Sequence, residues 1–152
     1  MYLEHVNLVV TDIDAMLKFY RAAFPHWRVR DQGYGDWYGK PRKWLHFGDD
    51  YHYLALSDNG EGVNRQLEDH SVGLAHFAYV TNNLDAVIAR LNNAGYAIAK
   101  AGATEPFRKN VYFIDPAGLE VEFVEYLSDM PAKRNLNREK NLQHAQQQEV
   151  SQ

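Results

Sequence analysis

Residues 3–10 alternate, with Val6, Leu8 and Val10 on one face and His5, Asn7 and Val9 on the other, the two-residue period of a strand covered on one side. Thr11 and Asp12 follow as N-cap candidates, and Ile13, Met16, Leu17, Tyr20 and Phe24 recur at helical spacing until Pro25 stops the helix. The pattern predicts further strands at residues 27–31, 43–47 and 51–57, separated by a glycine-rich stretch at 33–39 and a turn at Gly48, Asp49 and Asp50. The second half repeats this order. A strand at 74–81 leads to a helix capped by Asn82 or Asn83, with Leu84, Val87, Ile88 and Leu91 inward and Gly95 at its end. Strands near 96–99, 110–114 and 119–126 complete it, the last two joined by a turn at Asp115, Pro116, Ala117 and Gly118. The expected class is α+β, built from two tandem βαβββ modules.

The two halves also match residue by residue. LEHVNLVVTDIDAMLKFYRAA from Leu3 aligns without a gap on LAHFAYVTNNLDAVIARLNNA from Leu74, an offset of 76 − 5 = 71 that puts His5 on His76. FGDDYHYLALS from Phe47 aligns on IDPAGLEVEFV from Ile114, an offset of 122 − 55 = 67 that puts Ala55 on Glu122. We therefore expect one domain over residues 1–127, with modules at about 1–58 and 72–127. Residues 128–152 turn to Asn, Gln, Lys and Arg with too few apolar positions for a core, and read as a solvated helix, a partner-docking arm or disorder.

Composition narrows the function classes. A net charge of −4 and a pI near 5.9 give no reason to expect nucleic acid or an anionic membrane surface as a partner. Without cysteine, any metal must be held by nitrogen and oxygen. The chain enters a strand pattern at once, with no basic and apolar leader and no apolar run of membrane-spanning length, so the expectation is a soluble, cytoplasmic protein.

Strand alternation puts His5, His76 and Glu122 on the faces away from the apolar layer. If the modules curve together, these three converge in a cleft as two imidazoles and a carboxylate, a set that suits Fe, Zn, Ni, Mn or Co and leaves positions open for water or substrate. Asn7, Tyr53 and Glu120 share that face. His52 aligns with Leu119 and His46 with Phe113, so both are expected to be structural or surface histidines, as are His26, His70 and His144. Trp37, Tyr38, Arg42, Lys43 and Trp44 suit a lid over a flat or anionic ligand.

LEHVNLVVTDIDAMLKFY, GLAHFAYV and VYFIDPAGLEVEFVEY together resemble the vicinal oxygen chelate superfamily, which includes glyoxalase I, fosfomycin-resistance transferases, methylmalonyl-CoA epimerase, extradiol dioxygenases and bleomycin-resistance proteins. The resemblance covers residues 1–126. It implies an open, U-shaped mixed sheet around a metal-binding cleft, with His5, His76 and Glu122 as ligands of a divalent ion. The fourth glyoxalase I ligand falls at Ala55 and is missing, which argues against ordinary glyoxalase activity. Tyr112 matches in position a tyrosine that contacts phosphonate in the transferases. Gly102 and Pro106, however, stand where those enzymes carry anion-binding residues, which argues against fosfomycin as substrate.

The expected function is a metal-dependent enzyme acting on a small oxygen-rich substrate by Lewis-acid stabilisation of an oxyanion or enediolate, of isomerase, epimerase, lyase or transferase type, with Tyr112 or Glu120 moving a proton. Two alternatives accompany it: a non-haem Fe(II) extradiol-type dioxygenase, and a non-catalytic small-molecule or antibiotic-binding resistance protein. The resemblance also implies a homodimer, with the cleft closed either within one chain or between modules of two chains.

Overall fold

In the computed structural model, which describes residues 1–103 and 105–136, each half of the chain builds one βαβββ unit. Module one comprises β1 (His5–Val9), α1 (Ile13–Ala23), β2 (Arg28–Trp37), β3 (Lys40–Gly48) and β4 (Tyr53–Ser57). Module two comprises β5 (His76–Val80), α2 (Leu84–Asn93), the two-residue β6 (Lys100–Ala101), β7 (Arg108–Ile114) and β8 (Glu120–Tyr126). Each forms a four-stranded mixed sheet, in the order β1-β4-β3-β2 and β5-β8-β7-β6. The α+β class and the tandem modules are as expected. Among the described residues β1 and β5 are the outer strands of their sheets, and each leaves one edge unpaired.

The helices begin where the sequence offers caps. Asp12 accepts a hydrogen bond from the Ala15 amide at 2.9 Å, and Asn83 accepts one from Ala86 at 3.0 Å. The covered sheet faces and the helices share one core that includes Phe19, Tyr20, Phe47, Leu54, Phe113, Val121 and Phe123, all fully buried. Contacts of several kinds lock the modules together. Phe24, after α1, packs its ring 4.7 Å from Tyr79 and 5.9 Å from Phe123 of the second sheet. Arg90 of α2 donates to the Ala22 and Ala23 carbonyls, both at 2.9 Å, satisfying acceptors that the end of α1 leaves free. The Tyr20 hydroxyl donates to buried Asp115 at 2.8 Å, in the last turn of module two.

The glycine-rich stretch is not the separator that its composition suggests. β2 runs through it, pairing Gly33 with Trp44 and Gly35 with Arg42, and turns at Tyr38 and Gly39 with φ of 52° and 80°. A Cβ at Gly33 would meet the Trp44 ring at 2.9 Å, so the missing side chain is what lets that ring lie across the neighbouring strand. The expected lid is thus the end of a long β2–β3 hairpin, tethered where Lys40 Nζ donates to the Asn59 carbonyl at 2.8 Å. Of the C-terminal tail, α3 (Pro131–Arg134) is described and folds back on module two, with the Arg134 guanidinium 3.7 Å above the Tyr126 ring. Residues 137–152 of the tail lie outside the described residues. No helix among those described is long and apolar enough to cross a membrane.

Candidate metal centre and the facing ligand surface

The two sequence offsets reappear as strand register. His5 pairs with Tyr53 and Asn7 with Ala55, while His76 pairs with Glu120 and Ala78 with Glu122. Adding 71 on the first strand and 67 on the fourth converts one set into the other. In module two this register places Glu122 diagonally across from His76, and its Oε2 lies 3.4 Å from His76 Nε2. Two donors each about 2.0–2.2 Å from a first-row ion are separated by roughly 3.0–3.5 Å at ordinary coordination angles, so this pair has the spacing to share one ion.

The surroundings support the same use. Asn110 on β7 donates from Nδ2 to Glu122 Oε1 at 2.7 Å, which fixes the carboxylate and leaves Oε2 toward the histidine. Glu120 Oε1 stands 3.6 Å from His76 Nδ1, near enough for its charge to orient the ring and keep Nε2 outward. The Asn110 side chain has this position because residue 102 is glycine: a Cβ there would sit 2.0 Å from Asn110 Oδ1. Tyr112, opposite Glu122 on β7, accepts from Asn110 Nδ2 at 3.2 Å and meets the His76 ring edge-on at 5.5 Å. Burial raises its phenol above the ordinary value, and Glu122 and Glu120 push it the same way, so it stays protonated at neutral pH.

Module one presents the counterpart face with different chemistry. His5 Nδ1 lies 2.9 Å from Glu4 Oε2, which leaves Nε2 as the free nitrogen, and the ring stacks on Tyr53 at 4.6 Å. The Arg30 guanidinium stands 4.6 Å from the Tyr53 ring on the same sheet, and His46 packs 4.6 Å from it. Farther along, Trp44, Arg42 and Ser57 surround the small side chain of Ala55.

His5, His76 and Glu122 do not come together within one chain: among the described residues no three histidine or acidic side chains converge as metal ligands. His76, Glu122, Glu120 and Tyr112 form one cluster, and His5 belongs to the other sheet. Two further residues matter that sequence reasoning misses. Asn110 gives no signal there, since only the pairing of β7 with β8 aims it at Glu122. The alignment of His46 with Phe113 implies the covered face, yet His46 pairs with Ala55 on the open face while Leu45 and Phe47 fill the core. The reason is a shorter turn: Gly48 pairs with Tyr53, a separation of 53 − 48 = 5, whereas Ile114 pairs with Glu120, a separation of 120 − 114 = 6.

A paired βαβββ fold with a histidine and a glutamate on adjoining strands of an open sheet defines the class. The family model for the Glyoxalase/Bleomycin resistance protein/Dioxygenase superfamily matches residues 2–123, and the chain belongs to that superfamily. Solved structures agree on the fold. A glyoxalase family protein from Enterococcus faecalis superposes with a TM-score of 0.66 at 22% identity, covering 82% of this chain and 97% of that one. A point mutant of the genomically encoded fosfomycin resistance protein FosX from Listeria monocytogenes, solved with Mn(II) and 1S,2S-dihydroxypropylphosphonic acid, gives 0.62 at 16%, covering 88% and 96%. TnmS3, an antibiotic binding protein from Streptomyces sp. CB03234, gives 0.58 at 18%, covering 83% and 96%. No curated protein matches the sequence.

Proposed function

We propose that this chain is a divalent-metal-dependent enzyme acting on a small oxygen-rich molecule, with each centre assembled from His76 and Glu122 of one protomer and His5 of the partner subunit. The observation that carries the reading is the His76–Glu122 pair at 3.4 Å with its second glutamate oxygen already held by Asn110. Two features support the intersubunit version: β1 and β5 are outer strands whose backbone a second copy could pair, and Val9 and Val80, on the same faces as His5 and His76, are 49% and 64% exposed. We expect the ion to be Fe, Zn, Ni, Mn or Co.

When bound, the ion supplies Lewis acidity at a substrate oxygen. The chain's own groups do the rest: Asn110 and Glu120 hold the two ligands in orientation, and Tyr112 keeps its proton and offers Oη as a donor to that oxygen. Glu120 serves the His76 ring in this reading rather than carrying a proton. Lewis-acid stabilisation of an oxyanion or enediolate is common to the isomerase, epimerase, lyase and transferase readings, and two histidines with one carboxylate is also the ligand set of Fe(II) dioxygenases. A binding protein without chemistry is the second reading, favoured by the aromatic lining of module one.

Calorimetric titration of chelator-treated protein with Mn, Fe, Zn, Ni and Co, alongside light scattering, tests the proposal. One ion per chain in a dimer is expected, with affinity at least 100-fold lower in Glu122→Ala. A wild type that takes up no ion would remove the centre; a strict monomer holding one tightly would remove the shared one.

A further inference from the structure

Arg42 has an unusual setting. Its guanidinium lies 4.4 Å over the Trp37 ring, and Nη1 donates to the Ser57 hydroxyl at 2.5 Å. Nε is shielded from solvent and has no hydrogen-bond partner, and among the described residues no carboxylate lies within ion-pair distance of this arginine. Ser57 is only 1% exposed, yet its hydroxyl stands on the open side of the sheet beside Arg42. Between them opens a pocket of about 230 Å³ lined by Asn7, Arg42, Trp44, His46, Ala55 and Ser57, with no acidic side chain in its wall.

We propose that this pocket binds the carboxylate of a small planar ligand, with Arg42 as its charge partner and the Trp44 and His46 rings, which meet each other at 5.1 Å, along one flat face. A guanidinium presents a fork of donors that matches two coplanar oxygens, and one with no carboxylate beside it among the described residues is charge-balanced by such an anion. The volume lies below the roughly 300–1,000 Å³ of pockets for drug-sized molecules, which restricts the occupant to a fragment the size of one ring or a short conjugated chain. Ala55 makes the space. At the equivalent position in module two stands Glu122, and a glutamate at residue 55 would fill the pocket and neutralise Arg42.

The inference rests on the proposed function only in assigning the occupant as part of the substrate; anion capture by Arg42 stands apart from the metal. It is therefore tested in chelator-treated protein, by following tryptophan emission during titration with benzoate, with benzamide as the uncharged isostere and inorganic phosphate as the non-planar anion. Saturable quenching by benzoate is expected, with at least tenfold weaker binding of benzamide and phosphate. Arg42→Gln should weaken benzoate at least tenfold and Arg42→Lys by a lesser factor, since a lysine keeps the charge and loses the fork.

Equal binding of benzoate and benzamide in the wild type would overturn the proposal without any variant. So would a benzoate affinity unchanged in folded Arg42→Gln, or phosphate binding as tightly as benzoate. A protein that takes up metal but no benzoate refutes this inference alone; one that binds benzoate but no metal refutes the proposed centre alone.

Discussion

Module two and module one share a strand order and a parallel register, His76 opposite Glu120 and His5 opposite Tyr53, but they present opposite chemistries on their open faces. The first surrounds its histidine with Glu120 and Glu122; the second holds its own between Glu4 and the Tyr53 ring, with His46 and Arg30 against that ring and Arg42 farther along the sheet. Their covered faces stay alike, with Leu54 and Leu56 of β4 filling the places that Val121 and Phe123 fill on β8, all buried. Because alternate residues of a strand point to opposite sides, the open face can change charge without disturbing the core. On the proposed function and the inferred anion pocket, the two modules serve as two frames, one for a cation and the other for an anion.

The largest effect is expected where the acidic frame is held in shape. Asn110→Leu should lower metal affinity about 10–100-fold by freeing the Glu122 carboxylate from the amide that anchors it, the range seen when groups supporting ligands are lost. Gly102→Ala should act the same way and at least as strongly, since its methyl would lie 2.0 Å from Asn110 Oδ1 and 2.2 Å from the Asn110 backbone carbonyl. Titration calorimetry checks both, and an unchanged affinity in Asn110→Leu would show that the carboxylate needs no support.

The comparison is broken directly by Ala55→Glu, which gives module one the residue that module two has. Benzoate binding is expected to fall at least tenfold in the fluorescence titration, because the new carboxylate pairs with Arg42; unaltered binding would locate the anion elsewhere.

A smaller effect concerns the join between the frames. Tyr20→Phe leaves a buried Asp115 oxygen without its donor, at a cost of about 1–3 kcal/mol in denaturant unfolding. Asp115 also gives a pH signature. Burial lifts its carboxyl above the ordinary range, despite hydrogen bonds from Leu119, Tyr20 and Ala117 that pull it down. The folded state therefore holds this proton to higher pH than the unfolded chain, and the residue's contribution to stability falls as pH rises from the normal carboxylate range through the raised value. Melting temperatures from pH 4 to 7 should show that slope in the wild type and lose it in Asp115→Asn.

Much of this is legible in the sequence because it depends on period and offset. The caps at Asp12 and Asn83, the alternation of β1 and β5, and the pairing of Ala55 with Glu122 as equivalents all follow from residue types at fixed spacing. What escapes depends on chain geometry between matched segments. One residue fewer in the β3–β4 turn moves His46 from the covered to the open face, the penalty that a two-residue period attaches to any slip. The glycines of β2 read as a loop because their strand character comes from Trp44 and Arg42 lying across them, which is a property of the partner strand. Asn110 is an ordinary strand residue until β8 is placed beside it.

Subunit complementation decides whether the proposed metal centre is completed by the partner's module. His5→Ala and Glu122→Ala chains, carrying different tags, are co-expressed, and the heterodimer is isolated and assayed for tightly bound metal beside each homodimer. If His5 of one subunit serves His76 and Glu122 of the other, one of the two centres in the heterodimer carries both lesions and the other carries none, so the account predicts one tight ion per heterodimer and none in either homodimer. A heterodimer as empty as its parents would contradict it.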